Sequence, residues 1–153
     1  MNAYPIEIIV SPDWVDQLAE IETESFAHPL ERKQIETLLA DQNTHFLAAR
    51  NGETLMGSVW LQTVLDEGYI GNVAVRPTYR RKGVADALLD RLDRLAQEKE
   101  LSFLTLEVRA SNLPAVSLYE KHGYARVGVR PAYYRDPRED AILMTKYLKQ
   151  EKS

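Results

Sequence analysis

Apolar positions along the chain change their period several times, and each change marks an element. Residues 6–10, "IEIIV", form a short β-branched run that predicts a strand. Ser11 follows as a helix N-cap, with Pro12 at the first helical position and Asp13 in the first turn. Trp14, Leu18 and Ile21 then recur at helical spacing beside Val15, so a helix should fade near Ser25. A second short helix is predicted from Glu31 to Leu39. "HFLAAR" reads as a strand, and Asn51-Gly52 as a hairpin turn, because both residues accept positive φ. A long strand from about Leu55 to Leu65 comes next. Asp66, Glu67 and Gly68 form the next predicted turn, and "YIGNVAV" (Tyr69 to Val75) the next strand.

The helix after Gly83 has the clearest pattern. Val84, Ala85, Leu88, Leu89, Leu92, Leu95 and Ala96 share one apolar face, with Asp86, Asp90, Arg91, Asp93 and Arg94 off it. "LSFLTLEVR" reads as a buried strand. Ser111-Asn112 caps a further helix ending at "KHG", where Gly123 suits the left-handed C-terminal position. "YARVGV" and "DAILMTKYL" are the last two predicted strands. The order β-α-α-β-β-β-α-β-α-β-β mixes hairpins with crossovers. It predicts one α/β domain of mixed α+β type, with about seven strands and about four helices on both faces of the sheet.

Composition narrows the chemistry. The 153 residues fit a single domain, here 1–153, and the 27% of charged residues is an ordinary soluble share. The absence of cysteine excludes disulfides, thiolate metal sites and a cysteine nucleophile. His28, His45 and His122 are dispersed and show no metal spacing, so no metal is expected. No apolar run approaches the ~18 residues of a membrane span, and the N-terminus lacks a signal-peptide pattern. A cytoplasmic protein without membrane partners is expected. The net charge of -4 argues against nucleic acid as the main partner.

Against that acidic background, Arg76, Arg80, Arg81 and Lys82 gather just before the Val84 helix. The first turn of a helix carries N–H groups without intrahelical partners and a partial positive charge. With Gly83 removing side-chain bulk, such a place suits a phosphate. The pattern Arg80-x-x-Gly83-x-Ala85 is neither the nucleotide triphosphatase loop nor the dinucleotide glycine fingerprint.

"NVAVRPTYRRKG", "LEVRASN" and "AVSLYEKHGY", taken together, resemble the GNAT superfamily of N-acetyltransferases. Within it the chain is similar to the RimI type, the ribosomal-protein alanine N-acetyltransferases of bacteria. That resemblance implies strands splayed at a cofactor cleft and acetyl-CoA as co-substrate. It implies that Arg80 and the amides of Arg81, Lys82, Gly83, Val84, Ala85 and Asp86 hold the coenzyme's pyrophosphate. Val73, Ala74 and Val75 would offer backbone groups to the pantetheine arm, and Asn112 would also contact the cofactor. The loop departs from many members in having Ala85 where they have glycine.

Acetyl transfer needs a neutral amine, so a base helps, and the departing thiolate needs a proton. Glu107 is a lone carboxylate on a strand that otherwise reads as core. Such a group is costly unless it faces a cleft, forms an ion pair with a neighbouring arginine or meets water at a strand end. The family match makes it the candidate base. Glu67, at the start of the cofactor strand, is the weaker alternative. Tyr119 sits on an inward helix face, where most tyrosines are core. In "N-x-x-A-x-x-L-Y", as Asn112, Ala115, Leu118 and Tyr119, the family uses this tyrosine to protonate the leaving thiolate.

"RPAYYRDPRED" joins the last two strands as a predicted loop. The resemblance implies that its Tyr133 and Tyr134 help cover the acceptor. "SFAHPLERKQ" is the other expected wall, but His28, Pro29 and Leu30 stand where the RimI type often has proline-tryptophan. The acceptor expected is a protein N-terminal α-amine, of the ribosomal-protein alanine type. A small amine such as a polyamine or antibiotic is the alternative, and a non-catalytic coenzyme A sensor is the alternative of another class. Sequence leaves the oligomeric state open.

Overall fold

The computed structural model describes residues 4–148. Strands are β1 (Ile6–Ile9), β2 (Thr44–Asn51), β3 (Thr54–Val64), β4 (Glu67–Ile70), β5 (Ala74–Val75), β6 (Phe103–Arg109), β7 (Ala125–Tyr134) and β8 (Glu139–Tyr147). Helices are α1 (Val15–Ser25), α2 (Arg32–Ala40), α3 (Val84–Glu98) and α4 (Leu113–Lys121), with 3₁₀ turns at Pro12–Trp14 and Pro77–Tyr79. The sheet runs β1-β2-β3-β4-β6-β8-β7, and β5 pairs β3 off that path. Every pairing is antiparallel except β4 with β6.

Strand alternation sorts the core onto two faces. Leu47 and Ala49 of β2 pack with Leu88, Leu92 and Val116 on the α3–α4 side. Phe46 and Ala48 pack with Leu18, Ile21 and Ile35 on the α1–α2 side. Leu104, Leu106 and Val108 of β6 join the α3–α4 cluster, so period two turns Glu107 to the α1–α2 face. Of the expected apolar face of α3, Ala85 alone is only half-buried.

Four expectations need correction. The single strand expected over 69–75 is two, β4 and β5, with Gly71, Asn72 and Val73 outside the ladder. Gly71 is required there, because a Cβ would lie 2.2 Å from the Trp60 indole. The β2–β3 turn is Gly52–Glu53, one residue later than expected, since Asn51 pairs with Thr54. Only Gly52 takes positive φ in it. Glu67 pairs with Val64 and so begins β4; the turn before it is Leu65–Asp66. The segment 130–134, expected as loop, is strand: Arg130 pairs with Ala141 and Tyr134 with Glu139, leaving two extra residues in β7. Pro131 has no N–H for the ladder. The N–H of Ala132 instead goes to Asp140 Oδ1 at 2.8 Å, which secures the bulge.

Candidate active site

The parallel β4–β6 pairing ends at Tyr69 with Thr105. Beyond it the chain after β4 bends toward β3, where Gly57 and Ser58 pair with Val75 and Ala74. β6 continues beside β8, so the sheet forks. Asn72 spans the fork: its Nδ2 donates to the Glu107 carbonyl at 2.9 Å. An asparagine inside an apolar strand pattern is the sequence signal for this break.

Arg76 donates to Met56 O at 2.8 Å, which fixes the phase of the β3–β5 ladder. Antiparallel alternation then turns the peptide groups of Ala74 toward β3 and those of Val73 and Val75 toward the fork. The expectation for Val73, Ala74 and Val75 narrows to the outer two. Val73 N–H is already given to Tyr119 Oη at 3.0 Å, and Val75 O accepts from Arg80 Nε at 2.8 Å. Val75 N–H is left facing the fork.

The loop before α3 has unusual backbone. Arg81 has φ 62° and Gly83 φ 82°, both left-handed. Gly83 is the N-cap and supplies no side chain, so the first-turn amides of α3 lack a side-chain cap. A Cβ at Gly83 would meet nothing within 4 Å, which leaves open space in front of them. Arg80, Arg81 and Lys82 are exposed. Uncapped amides, a helix dipole and exposed cations suit a phosphate-type anion. Arg76 does not belong to it. It turns back to α1, bonding Leu55 O at 2.7 Å, Glu20 at 3.1 Å and Glu24 at 3.3 Å. Asp86 is engaged on the α4 side, with His122 at 2.7 Å and Lys121 at 3.1 Å. Burial raises the pKa of Asp86, but these two partners outweigh it and leave the carboxyl below its ordinary value.

The fork opens into a cleft of about 740 Å³ on the α1–α2 face. One wall is the end of α1 and the segment after it, including Glu22, Phe26, His28 and Leu30; the other is the β7–β8 hairpin with Tyr133, Tyr134 and Asp136. His28 Nε2 reaches the Asp136 carbonyl at 3.2 Å, so the two expected walls touch.

Glu107 lies at the fork and is only 8% exposed. Tyr69 donates a short hydrogen bond to its Oε1, and Tyr133 donates to the same oxygen at 3.3 Å. Arg130 Nε donates to Oε2 at 2.7 Å. The cleft position and the arginine ion pair, alternatives from the sequence, therefore hold together. Tyr69 and Arg130 were not singled out by sequence; nothing in their spacing marks them. Burial, then the Glu107 charge, pushes the Tyr134 phenol up to about 12. Burial and the bond to Glu107 raise Tyr69 further, so it stays a proton donor. Glu67 is exposed in β4 and does not line the cleft.

Tyr119 is fully buried below the fork. Its hydroxyl accepts from Val73 and donates to Asn72 Oδ1 at 3.4 Å. Burial raises its pKa against the opposing Val73 bond, so the phenol is protonated across the physiological range. Asn112 is the N-cap of α4, its side-chain oxygen accepting from Ala115 N at 3.3 Å, and it lines the rim of the cleft. No cluster able to hold a metal ion occurs among the described residues, and no helix of theirs is long and apolar enough to cross a membrane.

The acetyltransferase (GNAT) family pattern matches residues 11–124. The ribosomal protein bS18-alanine N-acetyltransferase of Escherichia coli K12 is 37% identical over 126 residues, covering 81% of this chain and 84% of its own. The one from Haemophilus ducreyi is 36% identical over 148 residues, covering 94% and 99%. The crystal structure of the E. coli ribosomal-protein-S18-alanine N-acetyltransferase superposes with a TM-score of 0.89 at 31% identity, covering 97% of this chain and 96% of that one. The forked sheet, the open loop before α3 and these relatives agree, and the chain belongs to the GNAT acetyltransferase family, as an acetyl-CoA-dependent N-acetyltransferase.

Proposed function

We propose that the protein acetylates the α-amine of a protein N-terminal alanine, with an acceptor of the ribosomal bS18 type. The observation that carries this reading is Glu107, a carboxylate at the fork between β4 and β6, facing a cleft walled by protein rather than open on all sides. The names of the bS18-alanine relatives support the acceptor.

The residues fit acetyl-CoA. Arg80, Arg81, Lys82 and the amides of Gly83 to Asp86 would hold the pyrophosphate, because the N-cap residue supplies no side chain to those amides. Val75 N–H would receive the pantetheine arm at the fork, and Asn112 borders the same opening. The thioester would then be held between the cleft and Tyr119. The acceptor arrives largely as an ammonium, since an α-amine has a pKa of about 7.7–8.0. Trp60, Tyr69, Tyr133 and Tyr134 around a carboxylate suit a cation. The amine gives a proton toward Glu107 Oε1. Its nitrogen bonds the acetyl carbon and gives up a second proton to solvent, the C–S bond breaks, and the sulfur takes a proton from the Tyr119 hydroxyl, which solvent then restores. Contact between His28 and Asp136 narrows the way in, so a chain terminus enters more easily than a side chain in mid-chain.

The test is mass spectrometry of peptides beginning with alanine, serine or leucine, each with an internal lysine, with free polyamine alongside. Acetylation of the alanine α-amine is expected. Acetyl groups found mainly on lysine or polyamine overturn the acceptor.

A further inference from the structure

We propose that Arg130 is a positioning residue of the transfer: its guanidinium pins Oε2 of Glu107 so that Oε1 faces the cleft as the proton acceptor. This rests on the reading of Glu107 as base.

The two carboxylate oxygens have different partners. Oε2 is held by Arg130 Nε at 2.7 Å, and Oε1 by the Tyr69 and Tyr133 hydroxyls. The terminal torsion of a glutamate is broad, so an unpinned carboxylate turns freely between its two faces. A charge-assisted bond to one oxygen removes that freedom. Phenols can be displaced by an incoming amine at Oε1 without loosening Oε2.

The fold builds this arrangement. In a regular strand, residues 130 and 133 point to opposite faces. The extra residues of β7, between Arg130 and Tyr134, put Arg130 and Tyr133 on the same carboxylate. The bulge is secured by the Ala132 N–H bond to Asp140 and by left-handed backbone at Ala132, φ 52°. Among the described residues the Arg130 side chain has no other hydrogen bond or ion pair, and it is 55% exposed. An exposed arginine contributes little to stability, so its contact with a nearly buried carboxylate calls for another account.

Among the described residues no other cation is bonded to Glu107. From β4 and β7 it faces Tyr69, Tyr133 and Tyr134. Arg109, farther along β6, is taken by Glu139 at 3.2 Å, by the Pro137 and Arg135 carbonyls and by the Tyr134 ring. Glu22 and His28 line the opposite wall, and neither is bonded to Glu107.

The experiment compares wild type, Arg130→Ala, Arg130→Lys, Arg130→Gln, Glu107→Gln and the double variant Glu107→Gln/Arg130→Ala. Arg126→Ala, on the same strand but paired with Glu120 at the surface, is the control. Steady-state kinetics with an alanine peptide are recorded across pH, with coenzyme affinity and thermal midpoint for each variant. For Arg130→Ala, kcat should fall roughly tenfold with coenzyme affinity unchanged. KM for the alanine peptide should stay within about twofold, because the loss lies in how the base is held and not in acceptor binding. Arg130→Lys should restore kcat in part, and Arg130→Gln should not. In the double variant, Arg130→Ala should add nothing to Glu107→Gln. An unchanged kcat, or a further loss in the double variant, overturns the proposal for Arg130 while Glu107 stands. Wild-type turnover in Glu107→Gln overturns the base assignment itself. Should Arg130→Ala fail to fold, Arg130→Lys and Arg130→Gln carry the same comparison.

Discussion

The loop before α3 and the fork around Glu107 are built on opposite principles. The loop is contiguous, exposed and made of backbone: seven consecutive residues, 80–86, two of them left-handed, with little held by side chains. The fork gathers Tyr69 from β4, Glu107 from β6, Tyr119 from α4, and Arg130 and Tyr133 from β7. Backbone sites tolerate changes of side chain and fail when φ changes. Side-chain sites do the reverse: they fail when one partner is removed and the rest lose their geometry. The loop therefore suits a ligand's invariant phosphates, and the fork suits the reacting atoms.

The sharpest break in that contrast comes from Glu107→Gln. Loss of a general base should cut kcat by about 10²–10⁴. Acetyl-CoA affinity should stay within about twofold, since the loop is untouched. Kinetics and calorimetry on the same preparation check it, and a matching drop in affinity would mean that the two regions are one site.

Gly83→Val tests the other side. A Cβ there meets no atom within 4 Å, so any effect comes from the left-handed φ of 82°. The strain costs about 1–2 kcal/mol and should shift the amides. Acetyl-CoA binding should weaken by roughly ten- to a hundredfold, while kcat at saturating coenzyme changes little. Unchanged affinity in a folded variant would remove the loop from the coenzyme site.

Gly71→Ala probes the hinge between the regions. The new methyl would overlap the Trp60 indole, which packs on Tyr69 with ring centroids 5.8 Å apart. Overpacking of this kind costs about 1–3 kcal/mol. A lower thermal midpoint is expected, together with a loss of turnover through the displaced Tyr69. A full thermal midpoint would show that the indole yields freely.

Glu22→Gln is the smallest effect and sharpens the account of the cleft wall. Burial raises the pKa of Glu22 against a bond from Leu30 N–H at 2.9 Å. A carboxyl with a raised folded pKa favours the folded state below its unfolded pKa of about 4.3 and loses that contribution as pH rises through the folded value. The amide keeps an acceptor for Leu30 and carries no charge. The variant should be slightly more stable than wild type at pH 7, with the difference vanishing below about pH 4. Thermal melts at the two pH values decide it.

Local chemistry was legible in the sequence wherever a signal is short-range. Gly123, Ser11 and Asn112 take the cap roles their residue types predict, because capping depends on a few adjacent dihedrals and hydrogen bonds. The amphipathic face of α3 is legible for the same reason: its period is set by the helix itself. Glu107 and Tyr119 stood out as polar groups on buried faces, and the family resemblance gave them roles.

What surrounds Glu107 was decided by tertiary structure alone. Tyr69, Arg130 and Tyr133 lie 23 to 38 residues from Glu107 in sequence, and no local pattern connects them. The basic cluster shows the same limit. Four cations read alike along the chain, yet Arg76 is drawn to Glu20 and Glu24 of α1, while Arg80, Arg81 and Lys82 stay outward. Apolar periodicity predicted one strand from Tyr69 to Val75 because it records burial, not hydrogen-bond partners. The break after Ile70 comes from strand pairing, with β4 held by β6 and β5 held only by β3. By itself the sequence determined most of the elements, their caps and the open basic loop before α3, which depend on neighbours in the chain. The fork, and the partners that set the chemistry of its carboxylate, follow from long-range pairing and a bulge in β7 that no local propensity specifies.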